Sequence, residues 1–337
     1  MKRGIAYAAA WVLVLGLLLS SCGGERPAPE TQPPSRSATL LETASGLEEG
    51  ETLMTVDGRE VPAWRCLYWL AYTCDHLAQR YREEGLPLDW SAPVEDGTLA
   101  DYAKEQALTD TALYAVVENW AQAYLPESQE TPETAPDASA LPDLGLSETQ
   151  LRELAAVGAR YNALWELCRA GSSPLSPAEE DLEAYGREQG ALTVDCILIR
   201  AGEDRSAAGE RAAELFSRLN GAEDQAARFQ ELAAAEDGHQ GPRTCLPGDG
   251  TLDETLLAAA EALEEGQCSG ILEAPEGYAI LRRLPLDAKA LLEPWFDSRL
   301  EHSAREARIT VSESYTALDA AAFYAAFQQL RQGGSRA

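Results

Sequence analysis

A stretch of about ninety residues, 193–284, does most to restrict the fold. It opens on a strand-like run, Thr193-Val194-Asp195-Cys196-Ile197-Leu198-Ile199-Arg200. Two helix-patterned segments follow, then a Gly/Pro turn and a third helix. The phrase Glu264-Glu265-Gly266-Gln267-Cys268-Ser269-Gly270-Ile271-Leu272 leads into a closing strand, Gly277-Tyr278-Ala279-Ile280-Leu281-Arg282. Strands at both ends and helices between them predict a small sheet with helices packed on it, so the chain is of the α+β class.

Helical patterns flank this stretch on both sides. Residues 53–61 read as two short strands about Asp57-Gly58, a hairpin signal. Pro62 suits the first turn of the helix that follows, to about Glu84. A second helix is predicted over 99–124. Residues 126–145 are rich in Pro, Glu and Ser and read as a loop. Ser147 and Gln150 form a capping-box pattern that starts a helix through Ala170. Ser176, Pro177 and Glu179 mark another helix start. Beyond the central stretch, 288–307 reads as a helix with Pro294 as a kink, 309–311 as a strand and 318–330 as a last helix. The 53–61 hairpin and the 309–311 strand are the natural partners to close a small sheet.

The phrases around Cys196, Phe229-Gln230-Glu231-Leu232-Ala233 and Gly277-Tyr278-Ala279-Ile280 resemble a parvulin-type peptidyl-prolyl isomerase domain. The wider layout resembles extracytoplasmic foldases of the PrsA and SurA type. That resemblance implies a parvulin-like domain, with a small four-stranded sheet, inserted into a mainly helical chaperone lobe made from both ends of the chain. The implied boundaries are 49–187 and 287–331 for the lobe and 188–286 for the inserted domain. Parvulins usually carry one His in the first strand and another in the last. Here those positions hold Cys196 and Ala279. Asp237 or His239 falls where the family places a Cys or Asp. Leu252 and Leu256 stand at the proline-pocket positions, with Ala279 and Tyr278 beside them. Thr251 and Glu254 form a capping box for the third helix, which would put Leu256, Ala259 and Leu263 on one face. The resemblance therefore implies candidate catalytic residues Cys196, Asp237 and His239. Without both histidines, low isomerase turnover or none is expected.

The first residues carry an address. Lys2 and Arg3 precede an apolar run from Ile5 to Leu19, near the length of a signal-peptide core and short of the roughly 20 residues a bilayer span needs. Leu19-Ser20-Ser21-Cys22 looks like the lipobox of bacterial lipoproteins. It implies removal of 1–21 and lipidation of Cys22 on the extracytoplasmic face of the membrane. Residues 22–48, polar and Pro/Gly-rich at their start, read as a flexible tether.

The length of 337 residues suggests roughly two domains. The formal charge of −29 makes nucleic acid an unsuitable partner. Six cysteines besides Cys22 permit disulfides in an exported protein. Cys66 and Cys74 are about 12 Å apart along one predicted helix, too far to pair. Cys245 and Cys268 are a candidate pair, with buried free thiols the alternative. No spacing suits a zinc site, and no metal or cofactor is expected.

Three functions fit. The first is a membrane-anchored foldase with prolyl isomerase activity on unfolded or proline-containing exported polypeptides. The second is the same fold, catalytically decayed, retained as a peptide-binding chaperone. The third is a solute-binding lipoprotein, which needs two α/β lobes with repeated strand–helix units.

Overall fold

The computed structural model describes residues 38–94, 97–126, 141, 144–236 and 239–334. Cys22, the start of the expected tether, most of the 126–145 loop and Asp237 lie outside the described residues. The described chain divides into two compact units, one formed by Gly171–Trp295 and the other by 38–170 with 296–334.

The first unit along the chain begins with a short helix, α1 (Leu40–Ser45). The Thr39 hydroxyl accepts the Glu42 N–H, and Gly46 closes the helix at φ +74°. Leu41 is fully buried. The tether reading of 22–48 is therefore corrected at its C-terminal end, because an apolar side chain with packing partners fixes these residues. Strands β1 (Thr52–Val56) and β2 (Arg59–Pro62) pair antiparallel about Asp57 and Gly58. Both turn residues have positive φ, 51° and 87°, which suits the right-handed twist of a two-residue hairpin. Helix α2 (Ala63–Glu83) starts directly on Pro62, which is its N-cap rather than its first helical residue. A two-residue ladder of β3 (Pro93–Val94) and β4 (Gly97–Thr98) leads into α3 (Leu99–Tyr124). Helix α4 (Glu148–Arg169) starts with the expected capping box of Ser147 and Gln150.

The Gly171–Trp295 unit opens with α5 (Glu179–Glu188), where the Asp181 carboxylate accepts the Ala178 N–H at 3.0 Å. Strand β5 (Leu192–Arg200) is followed by α6 (Arg205–Asn220) and α7 (Gln225–Ala235). Asp204 and Asp224 cap these two helices, each accepting a backbone N–H at 3.0 Å. Then come β6 (Arg243–Cys245), α8 (Glu254–Glu261), β7 (Leu272–Ala274) and β8 (Gly277–Leu284). The four strands form one sheet in the order β6-β5-β8-β7, all pairs antiparallel. Only glycine fits at 277: a Cβ there would stand 2.1 Å from the Ile199 carbonyl oxygen.

Strand alternation gives this sheet two different faces. Ile197, Ile199 and Ile280 point into a cluster completed by α6 and α7, with Leu215, Leu219, Phe229 and Leu232 buried in it. Leu192, Val194, Ala279 and Leu281 point the other way, against Leu256 and Ala260 of α8.

After β8 a 3-10 turn, Ala288–Leu291, runs straight into α9 (Leu292–Glu306). Pro294 makes no kink in the middle of a longer helix. It is the third residue of α9, where its missing N–H is one the first turn leaves unpaired anyway. The chain then returns to the first unit. Strand β9 (Ile309–Val311) pairs antiparallel with β1 through Val56↔Ile309 and Met54↔Val311. The resulting order β2-β1-β9 joins the early hairpin to the late strand, as the sequence predicts. The last helix expected over 318–330 is α11 (Ala320–Gly334), capped by Asp319, and a short helix the sequence reading lacks, α10 (Glu313–Ala317), precedes it.

Cys66, Cys74, Cys168, Cys196, Cys245 and Cys268 are free thiols. Cys245 belongs to the α8 side of the sheet and Cys268 packs on the α6 and α7 side, so that candidate pair does not form. Every paired strand among the described residues is antiparallel. Two lobes of repeated parallel strand–helix units, the requirement of the solute-binding reading, are not present among them. No helix among the described residues is long and apolar enough to cross a membrane.

Candidate functional site

A cleft of about 350 Å³ opens on the α8 side of the four-stranded sheet. Leu198, Leu252, Leu256, Ala274 and Pro275 supply apolar wall, and Cys196 and His239 border the same space. Its charged rim carries Arg200, Glu236, Arg243, Asp253 and Glu276.

Cys196 sits in β5 opposite Leu281 and on the same side as Val194 and Leu198. Burial pushes its thiol up to about 11, an effect that nearby Arg243 partly offsets. At neutral pH the sulfur keeps its proton, so it is a small polarizable wall atom and a weak donor rather than a nucleophile.

His239 lies between α7 and β6. Strand β6 pairs only with Leu192, Thr193 and Val194, leaving the edge of β5 uncovered from Asp195 onward. There the His239 Nε2 stands 2.7 Å from Asp195 Oδ1. The Asp195 side chain is only 7% exposed and that of His239 is 21% exposed. The same Asp195 oxygen accepts the Cys196 N–H at 2.9 Å. A carboxylate accepts only, so Nε2 carries the proton and Nδ1 is the ring's remaining polar atom. Asp195 thus fixes both the ring of His239 and the strand residue beside it. The sequence reading overlooked Asp195 as a site residue. Its signal was present: a lone carboxylate in the middle of an apolar strand run is rarely buried without a partner.

Leu252 and Leu256 both border the cleft, but not as one helical pair. The cap of α8 is Asp253, whose carboxylate accepts the N–H groups of Thr255 and Leu256 at 2.9 and 3.1 Å. The expected Thr251–Glu254 capping box is therefore displaced by two residues, and Leu252 lies ahead of the helix. The helix ends at Glu261, so Leu263 is beyond it. Leu256 pairs on the buried face with Ala260, four residues on, and Ala259 and Leu263 pack partly buried against the same cluster.

Two expected wall residues are elsewhere. Ala279 is fully buried in the cluster beneath the cleft, between Leu198 and Leu272 in register. Tyr278, its neighbour in β8, points to the opposite face. Its ring packs against Gly209 and lies under the Arg205 guanidinium, 5.2 Å from the centroid. Consecutive strand residues face opposite sides, so Tyr278 and Ala279 cannot share a wall. Asp237 lies outside the described residues. Among the described residues no group of three or more His, Cys, Asp or Glu side chains is arranged to hold a metal ion.

No family model matches the sequence, and no curated protein matches it. Solved structures do. The crystal structure of PrsA from Bacillus subtilis is 14% identical, over 85% of this chain and 93% of that one, with a TM-score of 0.27. The foldase protein PrsA from Streptococcus pneumoniae is 14% identical over 83% and 98%, with a TM-score of 0.27. A structure of the SurA-like chaperones PEB4 and Cj1289 of Campylobacter jejuni is 13% identical over 76% and 93%, with a TM-score of 0.22.

Proposed function

We propose that this chain is an extracytoplasmic protein-folding factor, held to the membrane by lipid on Cys22, that takes proline-bearing apolar segments of unfolded exported chains into the cleft beside β5. The parvulin resemblance of 188–286 motivates the reading. The observation that carries it is the meeting of Cys196, His239, Leu252 and Leu256 around one cleft.

Rotation about an X-Pro bond meets a barrier of roughly 18–20 kcal/mol because amide resonance must be lost. An apolar wall that strips water from the amide favours the twisted form, in which that resonance is broken. Leu252 and Leu256 supply such a wall. His239, steadied by Asp195, supplies a polar group at the rim, and the Cys196 thiol a weak donor on the floor. Ala279 supplies nothing polar at the position where the family has its second histidine. The site is thus equipped to bind a prolyl segment and to accelerate its isomerisation modestly.

A second reading has a specific observation behind it. Ala279 is sealed in the core and Cys196 stays protonated, so a chaperone that binds without catalysis also fits. A protease-coupled prolyl-peptide assay on the full chain separates the two. A rate above the uncatalysed one, lost in His239→Ala, is the outcome expected for the foldase. An uncatalysed rate, with aggregation of a denatured client still suppressed, leaves the chaperone. If neither rate nor aggregation changes, both readings fall.

A further inference from the structure

The charged rim of the cleft is almost wholly occupied with itself. Arg200 pairs with Glu276 at 3.2 Å. Glu236 accepts from Arg211 at 2.7 Å. The Asp253 carboxylate is taken up by two backbone N–H groups of α8, and His239 is held by Asp195. Arg243 is the exception. Among the described residues its guanidinium has neither an ion pair nor a hydrogen bond, although it borders the cleft. In the sheet Arg243 stands opposite Val194, on the same side as Cys196 two residues further along β5. Its charge is felt at the Cys196 sulfur on the cleft floor.

We propose that Arg243 is a specificity residue: it selects peptides that place an acidic side chain next to the apolar or prolyl residue filling the cleft. This rests on the peptide-binding reading above. A guanidinium offers up to five N–H donors in a planar fork that fits a carboxylate. A bound Asp or Glu would pair with the rim guanidinium that has no partner among the described residues. The selection is local. The chain as a whole carries −29 and repels acidic peptides from a distance. Acidic peptides therefore gain from this contact and lose in long-range encounter, and the two effects separate by their dependence on position and salt.

The test is a cycle of two peptides and two proteins. Labelled peptides Ala-Glu-Pro-Phe and Ala-Gln-Pro-Phe are titrated with the full chain and with Arg243→Gln, reading fluorescence anisotropy at low and high salt. The expected result is a preference of the wild type for the glutamate peptide of about two- to five-fold, the range of an exposed ion pair. The ratio of glutamate to glutamine affinity should fall by about that factor in Arg243→Gln, and further in Arg243→Glu, the change between proteins being smaller at high salt. The same glutamate-to-glutamine ratio in the wild type and in Arg243→Gln overturns the proposal and leaves the cleft reading standing. Failure of either peptide to bind any of the proteins sinks this proposal together with the cleft reading. Arg243 is exposed on an edge strand, and a thermal melt of each variant confirms that it folds.

Discussion

The two faces of the four-stranded sheet share the same strands and differ in what covers them. Helices α6 and α7, of 16 and 11 residues, lie on one side, and Phe229, Leu215, Leu219 and Ile280 beneath them are fully buried. Among the described residues, the helix packed on the other side is α8, with 8 residues. That helix is about 12 Å long at 1.5 Å per residue, whereas the nine residues of β5 extend for about 30 Å. One short helix cannot roof such a strand. Cys196, Leu198 and Leu252 are left half-buried, and the cleft is the space left above them. The closed face holds the unit together, and the open face retains half-buried apolar surface, the surface that the proposed function assigns to a bound peptide.

This division is most directly broken by Phe229→Ala. Removing a large ring from a closed core costs about 3–5 kcal/mol. The expected outcome is a lowered urea midpoint with the cleft chemistry untouched in whatever fraction stays folded. A loss below about 1 kcal/mol would mean that the covered face is not the support of the fold. The next largest effect is expected from Ala279→His, which places an imidazole in β8 beneath the cleft. Ala279 is fully buried between Leu198 and Leu272. An imidazole there overpacks the core and lacks a built partner, so a cost of about 1–3 kcal/mol is expected, with no gain in isomerase rate. A stable variant with a raised rate would show that the open face reaches deeper than the packing indicates.

The parts of this arrangement that the sequence discloses are those governed by neighbours in the chain. Asp57-Gly58 gives a two-residue turn because both residues tolerate positive φ, and Ser147 with Gln150 closes a capping box within one helical turn. The join of β1 to β9 was legible because two short strands at opposite ends of a helical unit each need an edge to pair with. The errors have local physical causes too. Thr251 and Asp253 both offer an N-cap, and the carboxylate of Asp253 wins because it takes two N–H groups at once. The resemblance puts Tyr278 beside Ala279 in one wall, whereas strand alternation sends them to opposite faces. The bond from His239 to Asp195 spans 44 residues, and no spacing rule reports a contact of that kind. Its trace in the sequence is an aspartate between the apolar residues Val194 and Cys196-Ile197-Leu198-Ile199 of β5.

Cys196 tests how far water reaches the open face. Burial raises its thiol to about 11, from the ordinary 9.0. Between those values the unfolded chain has lost the proton that the folded chain still holds. The contribution is fully present below pH 9 and is lost as pH rises toward 11. Relative to Cys196→Ala, the wild type should therefore lose about 2 kcal/mol across that window, two pKa units at 1.36 kcal/mol each with a discount for partial exposure. The same burial should keep alkylation by iodoacetamide slow at pH 8 and accelerate it steeply above pH 10. Fast alkylation at pH 8 would show the sulfur in open solvent, with no roofed floor to the cleft.

Leu252→Ala should have the smallest effect on stability and the most telling one on function. Leu252 lies ahead of α8, is half-buried, and borders the cleft. Its side chain has less burial to lose than Phe229, so a cost below about 1 kcal/mol is expected. A peptide that covers it gains what the protein alone does not. Losing contact with roughly two methylene groups, at about 0.8 kcal/mol each, should weaken binding of a prolyl peptide about tenfold. Paired with Phe229→Ala, this gives a double contrast: one substitution removes stability and spares affinity, and the other does the reverse. If Leu252→Ala unfolds the unit as readily as Phe229→Ala, the leucine belongs to the core and the two faces are not different in kind. If it changes neither stability nor affinity, the peptide does not lie against it, and the cleft must be entered from the Arg200 and Glu276 side instead.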